Sequence, residues 1–157
     1  MSEHKAIINW QRKSADFLKG KYSREHTWSF DGGATVLASA SPSNVPGPYA
    51  NAACVDPEEA FVASISSCHM LWFLFLASKG GFQVDSYRDD AAGAMTKNEQ
   101  GGQWISSVTL NPRIVYSGAK QPSRADEEQL HHFAHEQCFI ANSIKTQVTV
   151  RANPNVD

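Results

Sequence analysis

The hydrophobic pattern of the chain is dominated by one stretch, Asp56 to Gly81, in which nearly every position after Ala60 is apolar. Asp56 is a good N-cap and Pro57 suits the first helical position. Glu59, three residues after Asp56, supplies the acceptor half of a capping box. Lys79 suits the negative end of the helix macrodipole, and Gly80 can take a left-handed cap. The stretch therefore predicts a helix of roughly six turns at ~3.6 residues per turn. A helix apolar all round is buried in a core or crosses a membrane. Ser64, Ser66, Ser67, Cys68, His69 and Ser78 interrupt this one. It reads as a central core helix with Cys68 in its middle, because a membrane span needs ~20 mostly apolar residues.

Around it the period is two. Ala6, Ile8 and Trp10 share one side of residues 5–10, and a polar turn follows from Gln11 to Lys21. His26, Trp28 and Phe30 line one face of a strand over 25–30. Asp31-Gly32-Gly33 then predicts a hairpin returning along 34–38. Residues 41–55, with Pro42, Pro46, Gly47 and Pro48, form a loop. After the core helix, Phe82 to Met95 predicts one strand with an irregular middle at Asp89, Asp90 and Gly93. Val108, Leu110, Pro112, Ile114 and Tyr116 alternate along another, in which Pro112 marks an edge or a bulge. Ser123 caps a second helix running to about Phe139, and Ile144, Thr146, Val148 and Val150 alternate in a last strand. The order βββ-α-ββ-α-β clusters strands instead of alternating them with helices, which predicts an α+β fold with mostly antiparallel pairing. One small sheet covers only one side of a helix apolar all round. A second copy laying its own helix alongside covers the rest, which predicts a homodimer.

At 157 residues and 41% hydrophobic, the chain is long enough for one globular domain over 1–157 with a real core. Lys plus Arg total 14 against 16 Asp plus Glu, so there is no basic face for nucleic acid. Met1-Ser2-Glu3-His4-Lys5 lacks the pattern of a signal peptide, and three cysteines do not make a secreted disulfide framework. A reducing cytoplasm is the expected compartment, and there a cysteine pair is more often catalytic or metal-binding than structural.

Cys68 lies about three turns into its helix, beyond the macrodipole's reach. An ordinary cysteine, with a pKa of about 8.5, is only about 3% thiolate at pH 7. A reactive one here needs a close cation, and His69 faces elsewhere, ~100° further round the helix. An arginine from another element is required. Cys138 sits at the C-terminal end of the second helix, where the dipole disfavours a thiolate. The two thus have the asymmetry of an attacking and a resolving thiol. The alternative is that both are small buried hydrophobes, the usual fate of free cysteine. Cys54, in the proline-rich loop, is incidental.

Asp56-Pro57-Glu58-Glu59, Cys68 ten residues after Glu58, and Ala134-His135-Glu136-Gln137-Cys138 with Asn142 following resemble the OsmC/Ohr family of thiol-dependent peroxidases. The resemblance covers most of the chain. It implies an intertwined homodimer in which mostly antiparallel sheets wrap two long central helices. It further implies that Cys68 is the peroxidatic cysteine, Cys138 the resolving one, and Glu58 the acid that holds an activating arginine. Arg24 is the match for that arginine, with Arg12 the weaker candidate. Glu58 and Cys68 are ~15 Å apart along a straight helix. Antiparallel central helices would bring Glu58 of one subunit towards Cys68 of the other, so a composite site is expected. His69 after Cys68, and Phe139 after Cys138 where a proline is common, set this chain apart from the best-known members.

The implied chemistry needs no bound cofactor. The Cys68 thiolate takes the distal oxygen of an organic hydroperoxide, an alcohol leaves, and Cys138 condenses with the sulfenic acid to a disulfide and water. An external dithiol or thiol protein reduces the disulfide. Trp72, Phe139 and Tyr49 are candidate apolar walls that favour organic peroxides. Three alternatives remain at this stage. His131, His135 and Cys138, spaced i, i+4, i+7, suit a metal such as zinc, with Cys68 or His69 to complete the set. The fold can serve a non-catalytic redox sensor. Acyl transfer by Cys68 with His135 as base lacks an evident oxyanion hole.

Overall fold

The computed structural model describes residues 1–156. The strands are β1 (Ala6–Asn9), β2 (His26–Phe30), β3 (Thr35–Ala38), β4 (Gln83–Asp89), β5 (Ala92–Lys97), β6 (Gln103–Leu110), β7 (Pro112–Ser117) and β8 (Gln147–Val150). The helices are α1 (Pro57–Lys79), between β3 and β4, and α2 (Arg124–Gln137), between β7 and β8. The fold is α+β, as its clustered strands predict. The order is βββ-α-ββββ-α-β, with four strands between the helices where two were expected. The chain divides into two compact units, Met1–Ala60 and the remainder from Phe61 onward.

In the first unit β1, β2 and β3 form an antiparallel meander, with Ala6 opposite Phe30 and His26 opposite Ala38. The loop that follows is tied back by paired backbone bonds, Ser39 N–H to Val55 C=O and Val55 N–H to Leu37 C=O, both 3.0 Å. The capping box forms as the sequence predicts. The Glu59 N–H donates to Asp56 Oδ1 at 2.7 Å, and the Asp56 N–H donates to Glu59 Oε2 at 3.2 Å.

In the second unit α1 ends in a Schellman motif. The Phe82 N–H reaches the Ala77 carbonyl at 3.0 Å and the Gly81 N–H reaches Ser78 at 3.1 Å. The left-handed residue is Gly81 (φ +78°), one position beyond the expected Gly80. The two long strands read from the sequence are each two strands, because the chain changes sheet midway. β4 pairs only with β7, whereas β5, β6 and β8 form a separate sheet in which β6 and β8 run parallel. Both corners meet at one carboxylate. Asp89 Oδ1 accepts the Asn111 N–H at 2.6 Å, and Asp89 Oδ2 accepts the Ser66 hydroxyl at 2.5 Å. Pro112, which has no N–H to give a ladder, falls at the first residue of β7, where that lack costs least. Gly93 lets β5 approach α1 closely, since a Cβ there would lie 2.7 Å from Val62 Cγ2.

α1 is long and apolar enough by length and composition to cross a membrane. It buries the stripe Ile65, His69, Phe73 and Ala77, spaced every four residues. Ile65 packs with Val108 and Leu110 of the β5–β6–β8 sheet. Phe73 and Ala77 pack with Phe82, Ile114 of β7 and Ala134 of α2. His69 lies between these two apolar clusters and is itself buried. Its Nε2 is 2.9 Å from Nδ1 of His131 on α2, the two rings nearly parallel. Beyond His131 lies Glu127, whose Oε1 is 3.8 Å from His131 Nε2. Glu127 Oε2 accepts the Tyr116 hydroxyl at 2.5 Å and Asn153 Nδ2 at 3.0 Å. A polar seam thus runs through the core from α1 to α2 and on to β7 and the C-terminal segment.

Two outcomes follow from this packing. Asp89→Ala leaves the Asn111 N–H and the Ser66 hydroxyl without their acceptor. It should lower unfolding free energy by about 1–3 kcal/mol in urea titrations. Burial pushes the His69 pKa down to about 3, with His131 and His135 adding to the effect. An unfolded histidine titrates near 6.5, so below that pH the unfolded chain takes up a proton that folded His69 refuses. Stability should be fullest above pH 6.5 and fall steadily from there towards pH 3, with a loss of about 2 kcal/mol by pH 5. Denaturant titrations between pH 7 and pH 5 should show this slope in the wild type and a shallower one in His69→Phe.

Candidate active site

Cys68 lies on the face of α1 beside the buried stripe and is half-buried, while Cys138 is fully buried. All three cysteines are free thiols. α2 stops at Gln137, two residues short of the expected Phe139, and Cys138 is its extended C-cap (φ −66°, ψ 110°). Its φ is still helical, so the chain turns away only after Cys138, and the Cys138 sulfur lies beside Cys68. Burial, then the hydrogen bond to the Cys68 thiol, pushes the Cys138 pKa up to about 11, against the opposing pull of backbone N–H groups at Ala141 and Ile140. The Ala141 N–H donates to Cys138 Sγ at 3.4 Å. Cys138 is thus held as a thiol. Trp72, one turn after Cys68, meets the ring of Phe139 edge-on at 5.6 Å, so an apolar pair flanks the two sulfurs.

The metal alternative on His131, His135 and Cys138 finds no support in how these side chains are arranged. His131 Nδ1 is engaged by His69, and Cys138 by Cys68 and Ala141. Among the described residues no group of three or more His, Cys, Asp or Glu is arranged to hold a metal ion.

Arg24 and Glu58 both belong to the N-terminal unit. The Arg24 guanidinium donates to the carbonyls of Tyr22 at 2.6 Å and Gly20 at 3.1 Å, and lies 3.8 Å over the Tyr22 ring. Glu58 is in the first turn of α1. Its Oε1 accepts Asn44 Nδ2 at 2.9 Å, and its Oε2 is buried with no donor. Within one protomer, therefore, the expected Arg24–Glu58 ion pair does not form, because the arginine is spent on neutral carbonyls and a ring. Arg12 bonds only the nearby Ser14 carbonyl on the surface, at 2.9 Å.

Arg24 lines an open apolar cavity of about 490 Å³ in this unit, with Ile8, Trp10, Phe17, Tyr22 and His26 among its walls. The rings of Trp10, Phe17 and Tyr22 lie 4.6–5.7 Å apart, centre to centre. Sequence reasoning missed this cluster, since Gln11 to Lys21 reads as a polar turn. The available signal was the presence of three aromatic residues bracketing that turn. It also left His69 without a role, because its partner His131 is 62 positions away.

The comparisons agree with this architecture. A family model for OsmC-like proteins matches residues 50–153. An OsmC-like protein of unknown function from Vibrio cholerae is 53% identical, with a TM-score of 0.94, over 96% of this chain and 99% of its own. An organic hydroperoxide resistance protein from Elizabethkingia anophelis shares the fold at 20% identity and a TM-score of 0.69, over 98% of both chains. The organic hydroperoxide resistance protein OhrB of Bacillus subtilis does so at 20% identity and a TM-score of 0.63, over 97% of both. No curated protein matches the chain by sequence. With that family model matching residues 50–153 and a 53% identical relative covered over nearly its whole length, the chain belongs to the OsmC-like family, which includes hydroperoxide-reducing enzymes.

Proposed function

We propose that this protein is a thiol-dependent peroxidase that reduces organic hydroperoxides to alcohols in a reducing cytoplasm. The observation that carries the reading is the pairing of the half-buried Cys68 with a buried Cys138 held as a thiol. The Cys68 thiolate attacks the distal peroxide oxygen. The O–O bond breaks, the alkoxide leaves as an alcohol after taking a proton, and Cys68 becomes a sulfenic acid. Cys138 then attacks the Cys68 sulfur. An S–S bond forms, the S–O bond breaks, and the hydroxyl departs with the Cys138 proton as water. An external dithiol or thiol protein supplies two electrons to reopen the disulfide. No bound cofactor enters the scheme.

Arg24 is the proposed cation for the Cys68 thiolate and Glu58 its proposed anchor. A buried Glu58 Oε2 without a donor, and an Arg24 without a carboxylate, favour a pairing made between two subunits. The exposed face of α1 supports the same assembly. Leu71 is 60% and Phe75 51% exposed, directly opposite the buried stripe, and a second copy's α1 would cover them. The apolar cavity beside Arg24 suits the hydrocarbon part of an organic peroxide better than hydrogen peroxide.

Stopped-flow assays with cumene hydroperoxide should find Cys68→Ser inactive. Cys138→Ser, before any reductant is added, should consume about one equivalent per subunit and yield a sulfenic acid that dimedone traps. Full turnover by Cys68→Ser overturns the reading. Light scattering should give a dimer for the wild type and a monomer for the double variant Leu71→Glu, Phe75→Glu. A wild-type monomer at micromolar concentration overturns the composite site.

A further inference from the structure

Two side-chain pairs join the same two helices, and each uses one of two consecutive residues of α1. Cys68 meets Cys138, and His69 meets His131. On the other side His131 and Cys138 are seven residues apart, ~10.5 Å along α2 and its cap at ~1.5 Å per residue. A helix of that length is a stiff strut. Where it is tied at His131 decides where its far end, with the second sulfur, points.

The tie is itself anchored. Glu127, one turn before His131, faces it at 3.8 Å and takes hydrogen bonds from Tyr116 of β7 and from Asn153. Asn153 is in turn fastened to the backbone of Ile114, its Oδ1 accepting the N–H at 3.3 Å and its Nδ2 donating to the carbonyl at 3.2 Å. His131 Nε2 makes no hydrogen bond, but the Glu127 carboxylate 3.8 Å away favours the tautomer with its proton there, so that His131 Nδ1 accepts and His69 Nε2–H donates. His69 Nδ1 is then a bare lone pair, and it is buried with no partner. A pair of apolar side chains would fill this place without leaving a polar atom unsatisfied. What such a pair lacks is direction: it can slide, whereas a buried hydrogen bond between two rings has one register.

We infer that His69 is a positioning residue for disulfide closure: its hydrogen bond to His131 fixes the aim of α2 and so brings Cys138 Sγ onto Cys68. The inference rests on the peroxidase reading for its place in the cycle. It concerns the second chemical step, in which the S–S bond forms and water leaves, and which alone requires the two sulfurs to be aligned. Oxidation of Cys68 by the hydroperoxide does not use Cys138.

The test compares wild type with His69→Leu, which loses the donor, and His69→Gln, whose amide keeps one. Peroxide consumption and disulfide closure are followed separately in a single turnover. In His69→Leu the ratio of closure rate to oxidation rate should fall tenfold or more. Dimedone-trapped sulfenic acid should increase, as should sulfinic acid at excess hydroperoxide. His69→Gln should recover most of the ratio, and His131→Phe should match His69→Leu, with the double variant no worse than either. A folded His69→Leu that closes at the wild-type ratio overturns the inference. Nitrogen NMR of the wild type tests the tie without any variant: protons on both facing nitrogens, His69 Nε2 and His131 Nδ1, or on neither, overturn it. Closure is also driven with diamide, an azo oxidant that takes two electrons and two protons from the thiol pair. If hydroperoxides are not turned over but His69→Leu still slows closure by diamide, the peroxidase reading fails and the positioning role stands. If His69→Leu leaves closure by diamide unchanged, the positioning role fails whatever the peroxide result.

Discussion

The packing of α1 against its own C-terminal unit is the constraint on which the rest depends. One stripe, Ile65–His69–Phe73–Ala77, meets two different sheets in succession. The early part of the stripe is covered by β5, β6 and β8, and the later part by β4, β7 and α2. Because one straight helix serves both, the strands that cover it must change sheet midway, and they do so at Asp89 and at Asn111–Pro112. The carboxylate that joins those corners also takes a hydroxyl from α1 itself. Helix, corner and sheet change are therefore one linked arrangement.

At the boundary between the two apolar clusters the core holds a histidine instead of a hydrocarbon. That position is next to Cys68, and its partner on α2 is two turns from Cys138. The polar seam runs from His69 through His131 and Glu127 to Tyr116 and Asn153, so α2 is held both to α1 and to β7. Two of its nitrogens, His69 Nδ1 and His131 Nε2, are buried without a hydrogen-bond partner, which a polar core ordinarily avoids.

The two sulfurs are unlike because their surroundings are unlike. Cys138 is sealed among apolar neighbours at a helix end and keeps its proton. Cys68 is half-open on the same side of α1 as the exposed Leu71 and Phe75, three and seven residues further on. In the proposed homodimer that exposed face is where a second copy's α1 packs.

Local signals settled much of this protein in advance. The capping box at Asp56 and Glu59, the hairpin at Asp31-Gly32-Gly33, the Ser123 cap and the alternation of the last strand each involve residues within a few positions of one another, so spacing alone reveals them. The all-round apolar character of α1 and the unlike settings of Cys68 and Cys138 were legible for the same reason. Other features depend on residues that are far apart in sequence and become neighbours only on folding. Asp89 and Asn111 turn two apparent strands into four. Cys138 and Cys68, on different helices, become neighbours. His69 finds His131, and the rings of Trp10, Phe17 and Tyr22 gather at a turn that reads as polar. Sequence by itself fixes periodicity and caps, because these are set by short-range backbone geometry. Which distant side chains share a core is decided only when the chain closes on itself, because that choice depends on how the helices and sheets cross.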